Sequence, residues 1–173
     1  MAANAAERLQ VALAEAESGP LAQLEGVRPA AVGWATVELE RAERELCAAL
    51  GLSADDFGPA ASSIVLGARC RIAPGVLNDA LALVLLEPET EGRLAATLAR
   101  LGEGPAVVWL VPESRGSAVS AGVTTAAVRP GPFGPERLVL GDPIHGPHRL
   151  LVALTGEAHL RRIDDGPAGT IQP

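Results

Sequence analysis

Lysine and tyrosine are absent from this chain. All fourteen basic residues are arginine, set against 21 acidic ones for a net charge of −7. The only aromatic rings are Trp34, Phe57, Trp109 and Phe133. Nucleic-acid binding needs a basic stripe for the phosphates and, for single strands, aromatic platforms for the bases. Neither is available, so nucleic acid is excluded as a partner. Cysteine is scarce too. Cys47 and Cys70 stand 23 positions apart with no CxxC and no Cys/His cluster, which excludes a zinc finger on spacing. They read as two small buried hydrophobes in a reducing compartment. Long hydrophobic runs are missing as well. The longest, residues 80–86 and 106–111, are strand-sized, against the roughly 20 residues that span a bilayer. The N-terminus is rich in alanine but carries Glu15 and Glu17 and has no basic start. It does not resemble a signal peptide, and the expected location is the cytoplasm.

What the chain does have is length and apolar content. With 173 residues, 48% of them hydrophobic, it can bury a core within one domain without disulfides or a structural metal. Leu9, Leu13 and Ala16 fall at helical spacing in residues 2–17, and Ser18-Gly19-Pro20 ends that helix. Residues 31–37 read as a strand. Residues 40–50 read as an amphipathic helix with an apolar stripe of Ala42, Leu46, Ala49 and Leu50 and Gly51 as its C-cap. Residues 53–61 read as a loop. Residues 63–73 alternate, with Ile64, Leu66, Ala68, Cys70 and Ile72 on one face and Arg69 and Arg71 on the other. Residues 81–87 are apolar on both faces, as a central strand should be. A helix over 90–101 follows, with Thr90 as N-cap and Gly102 as its end.

Residues 105–111 form the next expected strand, 114–122 a weak helix, and 124–128, 136–140 and 148–154 three closing strands. The element order is thus a βαβββ unit written twice. The predicted fold class is α+β, with two βαβββ modules forming a curved mixed sheet around a cleft, plus an N-terminal helix. The boundaries are a helical extension over 1–28, a domain over 29–156 and a tail over 157–173. Within the domain, modules at about 29–88 and 104–156 are joined by the 90–101 helix.

Ala31-Val-Gly-Trp-Ala-Thr-Val-Glu-Leu-Glu-Arg-Ala42, followed by Leu50-Gly51, resembles the opening strand and helix of the vicinal-oxygen-chelate superfamily. This superfamily holds glyoxalase I, methylmalonyl-CoA epimerase, extradiol dioxygenases and bleomycin-resistance proteins. Leu85-Leu-Glu-Pro88 is similar to the end of its first unit. Gly102-Glu-Gly-Pro-Ala-Val-Val-Trp109 is similar to the entry of its second, in the epimerase version. The resemblance implies one divalent metal held by four side chains on the first and last strands of each unit, where it binds substrate oxygens and stabilises an oxyanion. Those positions fall at Ala31, near Val84, at Ala106 or Val107, and near Ala153, none of which can ligate a metal. The expectation is therefore no metal and no other cofactor.

By strand parity, the resemblance implies a cleft lined by Ala31, Gly33, Ala35, Val84, Leu86, Val107, Trp109 and Ala153. The expected ligand-binding residues are Trp109, Val84 and Val107 in that cleft and Phe133 at the tip of the Gly131–Pro135 turn. Arg69 and Arg71 join them if their face lines the cleft, as a pair for a carboxylate or phosphate. Glu87, Glu103 and His145 are the candidate acid/base groups. Asp142, His145 and His148 share one Gly/Pro-rich turn without forming a recognisable metal signature. Two functions compete most closely. One is a metal-independent binding protein of the bleomycin-resistance type, a homodimer taking a small apolar or aromatic ligand that bears an anionic group. The other is an isomerase, lyase or cyclase acting on a carbonyl or acyl-CoA-type substrate. A non-catalytic subunit that docks through its N-terminal helix is the third.

Overall fold

The computed structural model describes residues 3–18, 26–77, 81–113, 123–141 and 147–153. The expected helix at 114–122, Asp142, His145 and the tail lie outside these residues. The elements run α1 (Ala3–Ser18), β1 (Val27–Ala35), α2 (Leu39–Leu50), β2 (Gly58–Ser63), β3 (Ala68–Leu77), β4 (Leu81–Pro88), α3 (Arg93–Leu101), β5 (Gly104–Pro112), β6 (Arg129–Gly131), β7 (Gly134–Leu138) and β8 (His148–Val152).

All eight strands join one sheet in the order β2-β3-β4-β1-β5-β8-β7-β6. The order shows the repeat. In the first module the strand that opens it, β1, pairs in parallel with the strand that closes it, β4. In the second, β5 pairs in parallel with β8. The two opening strands run antiparallel to each other at the centre, with Ala31 opposite Trp109 and Gly33 opposite Val107. The sheet curls until its two edges meet. The Ile64 amide donates to the Pro130 carbonyl at 3.1 Å, and the Ser63 hydroxyl reaches across to Glu136. The result is a nearly closed barrel, which protects its edge strands from pairing with other chains.

The period-2 alternation of the strands sorts side chains into an inside and an outside. Inside lies one continuous apolar cluster containing Ala31, Ala35, Ala68, Cys70, Val84, Leu86, Val107, Trp109, Leu138, Leu150 and Val152, with Leu94 of α3 packed on it. Outside the first module, Val32, Trp34, Leu83 and Leu85 pack beneath α1 and α2. Outside the second lie Val108, Leu110, Val139 and Leu151. The α2 helix buries the stripe Leu39, Ala42 and Leu46 and ends at Gly51, whose left-handed backbone (φ 71°) lets its N–H reach the Cys47 carbonyl.

The N-terminal helix is part of this domain. Leu9 and Leu13 are buried against the outer face of the first module. Arg8 lies over the Trp34 ring, 5.1 Å from its centroid, and donates to the Glu103 carbonyl at 2.9 Å. The apolar face that would dock a partner is thus spent on the chain's own sheet.

Five expected boundaries move. The first strand begins at Val27 rather than 31, with a register shift beside Pro29. The expected loop over 53–61 contains β2, because an edge strand can carry Pro59, whose missing N–H costs no interior ladder bond. The expected strand over 63–73 splits: Ser63 ends β2, Gly67 (φ 66°) completes a turn, and β3 starts at Ala68. In the second module, residues 124–128 contribute one isolated bridge, Thr125 to Val139, and the strand lies instead at Arg129–Gly131. The connecting helix starts at Arg93 with Gly92 as its N-cap, three residues after Thr90.

Candidate functional site

The inner surface of the barrel is hydrocarbon almost throughout. Gly33 sits at its centre, flanked in register by Val84 and Val107. A Cβ at position 33 would fall 2.7 Å from Leu86 Cδ1 and 2.8 Å from Trp109 Cζ3. Glycine is therefore required by close approach, and the indole of Trp109 fills the space that the missing side chain leaves. Trp109 is wholly buried. Phe133, half-buried in the turn between β6 and β7, meets it edge-on with ring centroids 5.6 Å apart and an interplanar angle of 68°. Of the expected ligand-binding residues, the fold gathers Trp109, Val84 and Val107 on the inner face, with Phe133 packed against it.

Within this apolar interior stands one carboxylate that the sequence reading missed. Glu136 on β7 is fully buried. Its Oε1 accepts from the Ser63 hydroxyl at 2.5 Å, and its Oε2 accepts from Trp109 Nε1 at 2.8 Å. The Leu66 amide in turn donates to Ser63 Oγ at 3.3 Å, which fixes the hydroxyl. Gly131 on the neighbouring β6 leaves room for the carboxyl group, since a Cβ there would collide with Glu136 Cδ. Among the described residues no cation pairs with Glu136. Burial pushes its carboxyl above the usual carboxylate range, and the two hydrogen bonds pull it only part of the way back. A buried acid with a perturbed proton affinity, held by two orienting donors, is the kind of group that marks functional sites. The signal was present in the sequence: Glu136 is two residues from Leu138, so the two share the inner face of one short strand. The expected strand over 136–140 already put Glu136 and Leu138 on one face, but nothing local showed that this face turns inward.

The other candidates lie elsewhere. Arg69 and Arg71 alternate with the inward-facing Ala68, Cys70 and Ile72, so they point outward. Arg69 pairs with Glu87 on the neighbouring strand, and Arg71 pairs with Glu43 on α2. The condition for their forming an anion site inside the cleft is not met. Glu87 also accepts from the Leu39 amide at the start of α2, where a carboxylate suits the exposed N–H groups. Ala153 stands past the end of β8, and Leu150 and Val152 take the inward positions. His148 begins β8, its Nε2 2.9 Å from Thr97 Oγ1 on α3. Cys70 is buried beside the Ser63 backbone, and burial pushes its thiol up to about 12, far from a reactive thiolate.

Glu103 is a clamp rather than a base. Its Oε1 accepts from Arg41 at 2.5 Å, from Thr36 Oγ1 at 2.8 Å and from the Val37 amide at 2.8 Å. These contacts, the Arg41 bond foremost, hold its carboxyl down at about 2 instead of 4.5. A group so stabilised as the anion is a poor proton acceptor near neutrality. Its contribution to stability is present above pH 4.5 and is lost as pH falls towards 2. Both partners are roughly one-third exposed, so solvent screens the pair. Glu103→Gln is therefore expected to cost about 1 kcal/mol at pH 7. Urea unfolding at pH 7 and pH 3 should show the gap to wild type narrowing in acid. A gap that widens would remove Glu103 from the acid response.

No family model matches the sequence, and no curated protein matches it. Solved structures do. A hypothetical protein from Bacillus halodurans C-125 superposes with a TM-score of 0.57 at 15% identity, covering 78% of this chain and 99% of that one. Methylmalonyl-CoA epimerase from Mycobacterium tuberculosis gives a TM-score of 0.56 at 21% identity, covering 74% and 87%. The Streptomyces coelicolor methylmalonyl-CoA epimerase, in a complex with 2-nitronate-propionyl-CoA, gives 0.56 at 20%, covering 72% and 94%. This chain has the vicinal-oxygen-chelate fold. The paired βαβββ modules and the curved eight-stranded sheet are that fold's architecture.

The vicinal-oxygen-chelate fold raises the question of its usual metal. The implied ligand positions carry Ala31, Val84, Ala106 or Val107, and Ala153, whose side chains offer no donor atom. Among the described residues, no three His, Cys, Asp or Glu side chains come together as a metal site. Glu136 is a single carboxylate already carrying two donated hydrogen bonds, and the residues present do not fit the metal that the fold implies.

Proposed function

We propose that this vicinal-oxygen-chelate protein binds a small, mainly apolar or aromatic molecule inside its barrel without using a metal. The observation that carries this reading is the inner face itself, where hydrocarbon side chains surround one oriented carboxylate. Ligand sites are typically apolar with a few placed polar groups, and this interior has that composition. On this reading the ligand enters at the β6–β7 turn, where Phe133 is half-buried against Trp109. The reading includes a homodimer working in the cytoplasm. The outward pairing of Arg69 and Arg71 argues against their holding an anionic part of the ligand.

The test combines metal analysis with ligand screening. Protein purified without chelators and incubated with zinc, nickel, manganese, iron or magnesium is expected to retain far less than one equivalent by plasma mass spectrometry. Small aromatic compounds are expected to raise its melting temperature and change Trp109 fluorescence, by the mass-action stabilisation that any native-state ligand supplies. Stoichiometric metal, or a screen in which no apolar compound shifts the melting curve, would overturn the reading.

A second reading is favoured by Glu136. A buried carboxyl with raised proton affinity is suited to proton transfer, and the epimerases that share the fold are solved with CoA thioesters. An isomerase acting on an acyl-CoA would exchange the proton beside the thioester carbonyl. Incubating the protein with methylmalonyl-CoA in heavy water distinguishes the two. Deuterium uptake supports the enzyme, and none above the protein-free control supports the binding protein.

A further inference from the structure

Glu136 costs the fold something. A carboxylate removed from water and given only neutral donors is less stable than one paired with a cation. Ser63 and Trp109 occupy one lone pair on each oxygen, and a carboxylate can accept about four hydrogen bonds. Two accepting positions are therefore left over, in an apolar surrounding that strengthens any charge placed there.

The neighbours of this carboxylate are small. Across the seam stands Ser63, paired in register with Ala68 on the next strand, and on its own side Gly131. The adjoining aromatic position is already defined. Phe133 contacts Trp109 edge-on, and the same indole donates its N–H to Glu136. Phe133 belongs to the two-residue turn between Gly131 and Gly134 and is only half-buried, so its ring position lies at the margin of the core. A ring taking its place against Trp109 would share that indole with the Glu136 carboxylate, and a short arm on the ring would be directed at it.

We propose that the barrel interior is a site for a protonated arylalkylamine, whose ring replaces Phe133 against Trp109 and whose ammonium group hydrogen-bonds to Glu136. This rests on the reading that the interior binds a small molecule, and it names the class of molecule. The cation supplies the charge partner that Glu136 lacks among the described residues. Ser63 and Trp109 keep the carboxylate aimed, so the bond forms with little reorganisation. A ligand carrying a carboxylate at the same point would meet like charge and is rejected.

Three probes of similar size separate the terms: phenethylamine, 2-phenylethanol and 3-phenylpropionate. Binding is read from Trp109 fluorescence in a Trp34→Phe background and checked by calorimetry. Phenethylamine should bind about tenfold or more tighter than 2-phenylethanol, the usual scale of a charge-assisted hydrogen bond, and phenylpropionate should bind weakest. Glu136→Gln preserves the shape and can still bond Ser63 and Trp109. In that variant the preference for the amine should fall to near unity while 2-phenylethanol is retained. Phe133→Ala should tighten all three, because the ring position is vacated. If the three probes bind equally, or Glu136→Gln leaves the amine preference intact, the amine site is wrong and the apolar interior stands. If none binds to wild type or to Phe133→Ala, both the amine site and the small-molecule reading fail.

Discussion

Trp109→Ala is expected to destabilise the protein by about 3–5 kcal/mol, the usual range for emptying a fully buried large aromatic position. Trp109 is wholly buried and lies over Gly33, between the two opening strands' inner faces and against Phe133. Its removal leaves a cavity whose walls are strand backbones tied into an eight-stranded sheet, which limits collapse. The substitution also strips Glu136 Oε2 of its donor. Trp109→Phe separates the two effects. It keeps much of the ring volume and loses the N–H, so it should cost about 1–3 kcal/mol, the range for leaving a buried acceptor unsatisfied. Urea unfolding followed by circular dichroism checks both values. An alanine variant within about 1 kcal/mol of wild type would contradict the packed interior and cannot be reconciled with this burial.

Gly33→Val is expected to cost about 1–3 kcal/mol or more through overpacking. The glycine has no need of an unusual backbone, so the effect is steric. Its ideal Cβ falls 2.7 Å from Leu86 Cδ1, 2.8 Å from Trp109 Cζ3 and 3.0 Å from the Val107 Cβ. Three neighbours on the two flanking strands, β4 and β5, would have to retreat together. Gly33→Ala should be milder than Gly33→Val. Combined with Trp109→Phe, which frees space on the same side, Gly33→Ala should cost less than in wild type, giving a coupling energy above about 0.5 kcal/mol as expected for residues in contact. Strict additivity in thermal or urea unfolding would show that Trp109 does not fill the space over Gly33.

Both predictions concern the centre of the barrel, the region where the resemblance implies a metal. The implied metal positions and the glycine between them carry no donors, and a large indole packs where they converge. The buried polar contact lies away from them, at the seam where the sheet closes, between Ser63 on β2 and Glu136 on β7. That displacement is why the acid/base candidates chosen from the sequence did not assemble. Glu87 and Glu103 stand next to strand ends that the family resemblance made prominent, yet each is bound to an arginine and to backbone amides that start α2. Ion pairs between residues 62 and 18 positions apart are set by how strands and helices pack, and no local pattern announces them.

The amino-acid order alone settled a good deal. Hydrophobic periodicity placed α2, β4 and β5, because a 3.6-residue stripe and a two-sided apolar run are local properties of consecutive residues. The doubled βαβββ order followed from those elements, and strand parity together with the cleft that the family resemblance implies put Ala31, Val84, Val107 and Trp109 on a common face. Parity also left open which face of β3 turns inward. Leu66, Ala68 and Cys70 on one side and Arg69 and Arg71 on the other allowed a choice that burial settled, the apolar set going inside and the arginines pairing with Glu87 and Glu43. Short elements such as β2 and β6 escaped because their residues, Gly, Pro, Ala and Ser, carry little strand preference. They are strands because the edges of a curled sheet supply their hydrogen bonds. Ser63, Trp109 and Glu136 are far apart in the chain, and their meeting depends on the closure of that sheet, a long-range event to which no stretch of sequence is a sufficient guide.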